Sequence, residues 1–189
     1  MEIAQELKAA FDQFFEAPID AWKGFASVCE LIEFRKNTVL KHENEAEHFM
    51  YFILQGSAGV FLFKDEHFVC LDIAHENHFF CDMMSLLSNT VTPLQTMMLE
   101  DSKVLRLTKE DYLKLGETEI GMVLTKTAAE SSFIHKQQQQ IDLLTKTAEQ
   151  RYKEFISNNP GLVNRISQKH IASYLGITPQ SFSRLKKNK

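Results

Sequence analysis

The sequence predicts an α+β protein in which an antiparallel β-barrel with flanking helices precedes a long helix and a small helical module. Three observations support this prediction. Short apolar runs between residues 29 and 108 are separated by turn residues, as in small barrels. No Gly or Pro interrupts the chain between Met122 and Asn159, and Gly176 then ends one helical segment before another begins. The predicted domains are residues 1–116, 117–147 and 148–189.

Size and composition limit the class of protein. The chain has 189 residues, of which 44% are hydrophobic and 15 are Phe, enough for an aromatic core. No segment approaches the roughly 20 apolar residues of a membrane span, and the N-terminus lacks the features of a signal peptide. We therefore expect a cytoplasmic protein without a membrane partner. Cys29, Cys70 and Cys81 are widely spaced and form no Cys-x-x-Cys motif, which predicts free thiols.

The first two thirds of the chain change from a helical to a strand period. Leu7, Phe11 and Phe14 recur at helical spacing, so a short amphipathic helix is predicted over residues 4–16. After Pro18 the apolar runs are short, and Gly56 and residues 64–66 mark turns between them. The predicted strands are Cys29–Lys36, Thr38–His42, Phe49–Gln55, Ala58–Phe63, His67–Ile73, Leu94–Leu99 and Lys103–Leu107.

A long helix is predicted over residues 120–147. Apolar or small residues recur there every seven positions, which is the seam of a coiled coil. At about 1.5 Å per residue the helix would run on the order of 40 Å, longer than a small barrel needs, so we expect a homodimer. A helix lying only against its own barrel is the alternative. The residues expected at the dimer seam are Ile120, Val123, Thr127, Ile134, Ile141 and Leu144.

The segment from Gln168 to Lys189 has the pattern of a helix-turn-helix. Gly176 stands where the chain must turn through a left-handed conformation, which favours glycine. Thr178 then offers a hydroxyl as N-cap, and Pro179 takes the first helical position, where its missing N–H costs nothing. Phe182 and Leu185 are predicted to point back at the first helix.

The outward side of the second helix is polar and basic, which is typical of a DNA-reading surface. Gln and Arg side chains can pair bidentately with adenine and guanine in a major groove. From Glu149 onward the chain has eight Lys and Arg residues against two Glu, a net charge of +6 within a chain whose total is -4. Double-stranded DNA is therefore the expected partner, with a solvated helical tail as the alternative. The candidate contacts are Thr178, Gln180, Ser181, Ser183, Arg184, Lys186 and Lys187.

The whole pattern resembles the Crp/Fnr family of bacterial transcription regulators. Two segments support the resemblance: residues 51–61, similar to the family's barrel hairpin around an obligatory Gly, and residues 168–187, similar to its DNA-reading helices. The resemblance implies a double-stranded β-helix, or jelly-roll-like barrel, and RNA polymerase as a possible partner. It also implies base contacts by Gln180 and Arg184, with the other candidates on phosphates. Because the sequence ends soon after these helices, we expect no β-hairpin wing.

The family's phosphate-binding cassette matches poorly. Cys81 and Asp82 stand where cyclic-nucleotide binders have Gly and Glu, and Thr92 and Pro93 stand where they have Arg and Ser or Thr. A buried cyclic phosphate needs a cation or free N–H groups, and this stretch supplies a carboxylate and a Pro. We therefore expect no cyclic AMP or GMP. The effector-pocket candidates are Phe80, Asp82, Met83, Thr92 and Pro93.

Other effectors stay open at this point. His75, His78, Cys70 and Cys81 lack the regular spacing of a ligand set, so neither haem nor metal is expected. An apolar effector could instead use Phe and Met side chains inside the barrel, although a filled core without a ligand fits the same residues. The apolar candidates are Phe79, Phe80, Met83, Met84, Met97 and Met98.

The sequence contains no set of residues expected of an enzyme. No nucleophile elbow or phosphate-binding Gly-rich loop appears, and Glu43, Glu45 and Glu47 are typical of a solvated loop. The leading interpretation is a DNA-binding transcription regulator that does not depend on a cyclic nucleotide. The alternative is a barrel module whose terminal helices bind a protein partner.

Overall fold

Two antiparallel four-stranded sheets form the centre of the computed structural model, which describes residues 2–12, 16–64 and 67–187. The strand orders are β1-β8-β3-β6 and β2-β7-β4-β5, so neighbours in each sheet are often distant in sequence, as in a jelly-roll-like barrel. All pairs are antiparallel, as predicted. The strands are β1 Glu30–Phe34, β2 Val39–Lys41, β3 Phe49–Gln55, β4 Ser57–Lys64, β5 His67–His75, β6 Phe79–Phe80, β7 Leu94–Met98 and β8 Ser102–Thr108.

Helices precede, interrupt and follow the barrel. They are α1 Glu2–Phe11, α2 Ile19–Ser27, α3 Met83–Ser88, α4 Lys109–Leu115, α5 Glu119–Thr145, α6 Ala148–Asn158, α7 Leu162–Arg165, α8 Gln168–Tyr174 and α9 Pro179–Lys187. We call α6–α9 the C-terminal module. The α+β class predicted from the sequence is confirmed. Among the described residues, no helix combines the length and the apolar character needed to cross a bilayer.

The inward faces of the two sheets pack against each other to form the barrel core. Tyr51 and Ile53 on β3 meet Val60 on β4 and Met98 on β7, and all four side chains are buried. Alternation along each strand puts the neighbouring residues on the outer faces. The turn between β3 and β4 requires Gly56, whose φ is +105° and where a Cβ would overlap the Ser102 side chain.

The N-terminal helices cover the outer face of the sheet that contains β1, β8, β3 and β6. Leu7 and Trp22 pack there against Phe52 and Leu105, and Phe11 stacks on Trp22 with ring centroids 5.3 Å apart. The predicted helix over residues 4–16 is found as far as Phe11; residues 13–15 lie outside the described part. The sequence pattern did not predict α2, which is short and contains Gly24.

The long helix α5 has 27 residues and begins within one residue of its predicted start. The Thr118 side chain accepts a hydrogen bond from the Gly121 N–H and caps it. Only Gly121 and Leu124 are buried along its length, so most of the helix faces solvent. The helix ends at Thr145, because the backbone of the next residue, Lys146, is extended, and Thr147 then caps α6 through a capping box with Gln150.

The C-terminal module covers the outer face of the other sheet. Tyr152 and Phe155 of α6 pack against Ile171 of α8 and Phe182 of α9. The same apolar cluster includes Phe61 of β4. Each outer face of the barrel is therefore covered by helices, one by the start of the chain and the other by its end.

Candidate nucleic-acid interface and barrel site

The α8–α9 pair is joined by a short turn at Gly176. Its φ is +64°, the left-handed conformation that the sequence indicated. The Ile177 N–H donates to the Ala172 carbonyl at 2.9 Å, which closes the end of α8. Thr178 accepts a hydrogen bond from the Ser181 N–H at 3.1 Å, as expected of an N-cap. These local contacts fix the angle at which α9 leaves the turn.

Phe182 anchors α9 to the rest of the module. Its side chain is fully buried, and its ring meets the Tyr152 ring edge-on at 5.3 Å between centroids. Leu185, one turn later, is half-buried against the same cluster. With these two residues facing inward, the remaining side chains of α9 lie on the opposite surface.

The outward surface of α9 carries the side chains that the sequence singled out. Gln180 and Arg184 are both exposed and lie one turn apart. In the described part of the chain, no carboxylate lies within ion-pair distance of Arg184. The Thr178 hydroxyl also donates to the Ser181 hydroxyl at 3.0 Å. Of the other candidates, Thr178, Ser183 and Lys187 are exposed, and Ser181 and Lys186 are half-buried.

The residues predicted for the dimer seam fall mostly on the open surface of α5. Ile134 is 66% exposed and Leu144 is 79% exposed. Ile120 does not share this surface, because it packs against the N-terminal core. Sequence reasoning missed Phe133, which is 65% exposed beside the seam. Val123, Thr127 and Ile141 are also exposed, and Met122 and Leu143 add further exposed apolar area.

The barrel cassette is built around Asp82. Its carboxylate caps α3 by accepting the Ser85 N–H at 3.1 Å, and it also accepts a hydrogen bond from the Thr92 hydroxyl. The Lys41 ammonium lies 3.2 Å from the same carboxylate, and both side chains are about as buried as any in the protein, at 2% and 1% exposure. Lys41 donates further to Thr92 at 3.1 Å and to the Leu94 carbonyl at 2.6 Å.

Glu47, which the sequence indicated as part of a solvated loop, is instead buried and completes the polar network beneath α3. Its carboxylate accepts the backbone N–H groups of His48, Phe49 and Asp82. Burial outweighs these hydrogen bonds and raises the pKa of the Glu47 carboxyl above its usual value. The Glu47 N–H in turn donates to the Ser85 hydroxyl at 2.8 Å. The cassette therefore satisfies its buried polar groups from within the chain.

The effector candidates are only partly brought together. Asp82 and Thr92 are in contact, but Phe80 is part of the packed barrel core and Met83 is half-buried against the N-terminal cluster. Pro93 is exposed, so it does not line the interior. Sequence reasoning missed Lys41 because it looked for a cation only within the cassette segment. Lys41 comes from β2, and the signal was a Lys at the end of an apolar strand.

The His and Cys residues do not assemble into a ligand set. The rings of His75 and His78 lie 4.4 Å apart, and His75 contacts Asn159, the residue that follows α6, at 3.1 Å. Burial, with His78 nearby, lowers the pKa of His75. Burial raises the pKa of the Cys70 and Cys81 thiols. Across residues 2–12, 16–64 and 67–187, no group of three or more His, Cys, Asp or Glu residues could hold a metal ion.

Comparisons with known proteins agree with this architecture. Residues 31–119 match the family model of the cyclic nucleotide-binding domain. No sequence among the curated proteins matches the chain. The solved structure of FixK2 from Bradyrhizobium japonicum is similar at a TM-score of 0.72 and 19% identity, over 85% of this chain and 84% of that one.

Two further structures have names that state a role. The c-di-GMP-responsive global regulator CLP of Xanthomonas campestris matches at a TM-score of 0.68 and 12% identity, over 90% of this chain and 91% of that one. The sensor domain of the transcriptional regulator DNR from Pseudomonas aeruginosa matches at 0.56 and 17% identity, over 72% of this chain and 94% of that one.

The barrel, the long helix and the terminal helices thus define the fold of Crp/Fnr-type regulators, as the resemblance implied. Within this fold, residues 31–119 are the part that is similar to the cyclic nucleotide-binding domain.

Proposed function

We propose that the protein is a homodimeric, sequence-specific DNA-binding transcription regulator that works without a cyclic nucleotide. The observation that carries the proposal is the outward surface of α9, where Gln180 and Arg184 are exposed on a helix anchored by Phe182. RNA polymerase as a partner and the domain bounds 1–116, 117–147 and 148–189 stay predictions.

DNA binding is supported by the kind and placement of the exposed groups. An amide and a guanidinium one helical turn apart suit the edges of adenine and guanine in a major groove. Lys186 and Lys187 follow them at the end of α9, where a cation supplies affinity for phosphate that does not depend on sequence. The fold neighbours include two named regulators, which favours this partner over a protein.

A homodimer is supported by the exposed apolar side chains of α5. Phe133, Ile134 and Leu144 are each at least 65% exposed, and a contiguous exposed apolar surface marks a site of protein–protein interaction. A second copy of the helix would cover it with side chains of the same chemistry. Two copies would also present two α9 helices to two half-sites about one DNA turn apart.

Independence from cyclic nucleotides is supported by the Lys41–Asp82–Thr92 contact. The buried Lys41 ammonium near the cassette is already paired with the Asp82 carboxylate, and it also donates a hydrogen bond to the Leu94 carbonyl. A cyclic phosphate would have to displace Asp82, and α3 would lose its cap. We therefore expect cyclic AMP and GMP to leave the melting temperature unchanged, whereas a ligand at 100 times its Kd adds about 2.7 kcal/mol.

The DNA proposal is tested with fragments selected from genomic DNA. Arg184→Ala should weaken binding to the selected site by about 1–3 kcal/mol and reduce sequence preference, because a base contact is lost. Lys186→Ala should weaken all DNA alike. Lys23→Ala is the matched control, since Lys23 is an exposed residue of α2 paired with Asp20. No affinity for any fragment at low salt would contradict the proposal and favour a protein partner.

The dimer proposal is tested by light scattering. Ile134→Glu should produce monomers, because a carboxylate would be buried in the seam without a partner. Ser132→Glu places the same charge on another exposed position of α5 and should leave the dimer intact. A wild-type protein that is monomeric at all concentrations would contradict this part of the proposal.

A further inference from the structure

The C-terminal module is held on the barrel of its own chain by a continuous apolar contact. Phe61 and Cys70 on the outer face of the β4–β5 pair belong to the same buried cluster as Ile166 and Ile171. This contact fixes α9 relative to the barrel, because α8 and α9 share the core around Phe182.

Strand β5 lies at the edge of its sheet, and backbone groups on this edge form hydrogen bonds with side chains of the helices. The Ser173 hydroxyl of α8 accepts the Cys70 N–H at 2.8 Å and donates to the Phe68 carbonyl at 3.4 Å. The β4–β5 register shifts between Val60 and Phe61, so Leu71 has no opposite partner. Its carbonyl instead accepts hydrogen bonds from Lys136 and Gln139 of α5. Both parts of the helical region are thus tied to one strand.

Arg165 of the module adds an ionic contact to the barrel. The Arg165 guanidinium lies 2.5 Å from Glu76 and 2.8 Å from Glu100, which come from two different turns of the barrel. It also donates to the Gly56 carbonyl at 3.4 Å. Burial opposes ionisation of Glu76, but hydrogen bonds from Arg165 and the Gly56 N–H prevail and lower the pKa of the Glu76 carboxyl. We call Arg165, Glu76 and Glu100 the latch.

The latch engages the Arg165 guanidinium, a group that a DNA phosphate would otherwise bind. A guanidinium binds carboxylate and phosphate with the same fork geometry, so the two anions compete for it. Lys169, at the start of α8, is also turned toward the barrel, with its ammonium 4.7 Å from the centre of the Phe68 ring. Arg184, in contrast, extends into solvent. Part of the positive charge of the module therefore faces the barrel, away from the recognition surface.

We propose that the latch is an autoinhibitory contact in which Glu76 and Glu100 stand in for DNA phosphates at Arg165. Release of the latch loosens the module on the barrel and frees Arg165 to bind a DNA phosphate, and this added contact raises affinity for DNA. The proposal rests on the proposed DNA-binding function and adds a means of regulating it.

The experiment compares two ways of opening the latch in the full-length chain. Glu76→Gln with Glu100→Gln removes the competing charges, keeps oxygen acceptors for Gly56 and Ser57, and leaves Arg165 free. Arg165→Gln opens the same contact but removes the cation. Release is measured without DNA, from hydrogen exchange of the Cys70 N–H that Ser173 holds. DNA affinity is then measured by anisotropy across a range of salt concentrations.

The two variants should differ in how their DNA affinity depends on salt concentration. Hydrogen exchange of the Cys70 N–H should be faster in both variants. Only the double Gln variant should bind DNA more tightly, by roughly tenfold at low salt. Its plot of log affinity against log salt concentration should be steeper by about 0.9, because one phosphate contact is added. Arg165→Gln should show no steeper slope. Equal DNA affinity in the wild type and the double Gln variant, or unchanged exchange in both variants, would overturn the latch.

A failure of the proposed function would give a different result. If every form, wild type included, bound no DNA at low salt while exchange at Cys70 increased in both variants, the latch would be a conformational contact unrelated to DNA. The DNA-binding function would then be overturned, and with it the regulatory role of Arg165.

Discussion

The buried contact between Lys41 and Asp82 allows a sharp test of how the cassette is stabilised. Lys41→Met keeps the apolar stem and removes the ammonium, so the Asp82 carboxylate stays buried with only Thr92 and Ser85 as donors. Removing one partner of a buried ion pair costs about 3–5 kcal/mol, because the other charge has no compensation. We expect a loss of free energy of unfolding in this range.

A double-mutant cycle isolates the charge pair from the other losses. Asp82→Asn removes the negative charge but keeps an oxygen that can cap α3. The variant with both changes buries no unpaired charge, so its cost should fall below the sum of the single costs by about 2–3 kcal/mol. The Leu94 carbonyl loses its Lys41 donor whether the Lys41→Met change is made alone or together with Asp82→Asn, so that loss cancels in the cycle.

Urea unfolding followed by tryptophan fluorescence measures these free energies. Trp22 is the chain's only Trp and is fully buried in the core that covers the barrel. Lys36→Met, at an exposed Lys, should change stability by no more than about 0.5 kcal/mol. Costs that simply add, or a Lys41→Met cost below about 1 kcal/mol, would refute a buried charge pair at this site.

Two further predictions concern the C-terminal module. His170 packs between Phe61 and Phe68, and burial, with Lys169 and Lys36 adding repulsion, lowers its pKa to about 4. Because the unfolded chain takes up a proton near pH 6.5, stability should fall as pH drops from 6.5 toward 4, and His170→Phe should flatten this slope in thermal melts. Gly176→Ala should lower the free energy of unfolding by about 1–2 kcal/mol, because the φ of this residue is +64°, in the left-handed region, and Gly176→Asn should lower it by less. Equal losses for the two variants in urea unfolding would show that the turn conformation is not the cause.

The regular elements were the part of the fold most open to prediction from sequence. All seven predicted strands are found within a few residues, because alternation and turn residues are local signals. The two-residue strand β6 was missed, since Phe79–Phe80 is too short for any period. The end of α8 was predictable from Gly176 alone, because only the backbone conformation decides it.

The contacts that close the cassette and the latch could not be predicted in the same way. Lys41 meets Asp82 only because β2 and α3 come together across the barrel, and Arg165 meets Glu76 only because the module folds back. Such pairs join residues far apart in sequence, and no local period records them. A charge at the end of an apolar strand, as at Lys41, was the one available hint.

The bulged edge of β5 makes self-association a risk whenever the C-terminal module leaves the barrel. While Ser173, Lys136 and Gln139 hold it, the strand offers no row of unpaired backbone groups to a neighbour. If the module swung away, the Ser173 contacts would be lost, and the backbone of Phe68 and Cys70 beside Phe61 would be free to pair with a strand of another molecule. A long-lived form with the module away from the barrel must therefore have β5 covered by another partner. Variants without the latch should aggregate, measured as turbidity, at lower protein concentration than the wild type.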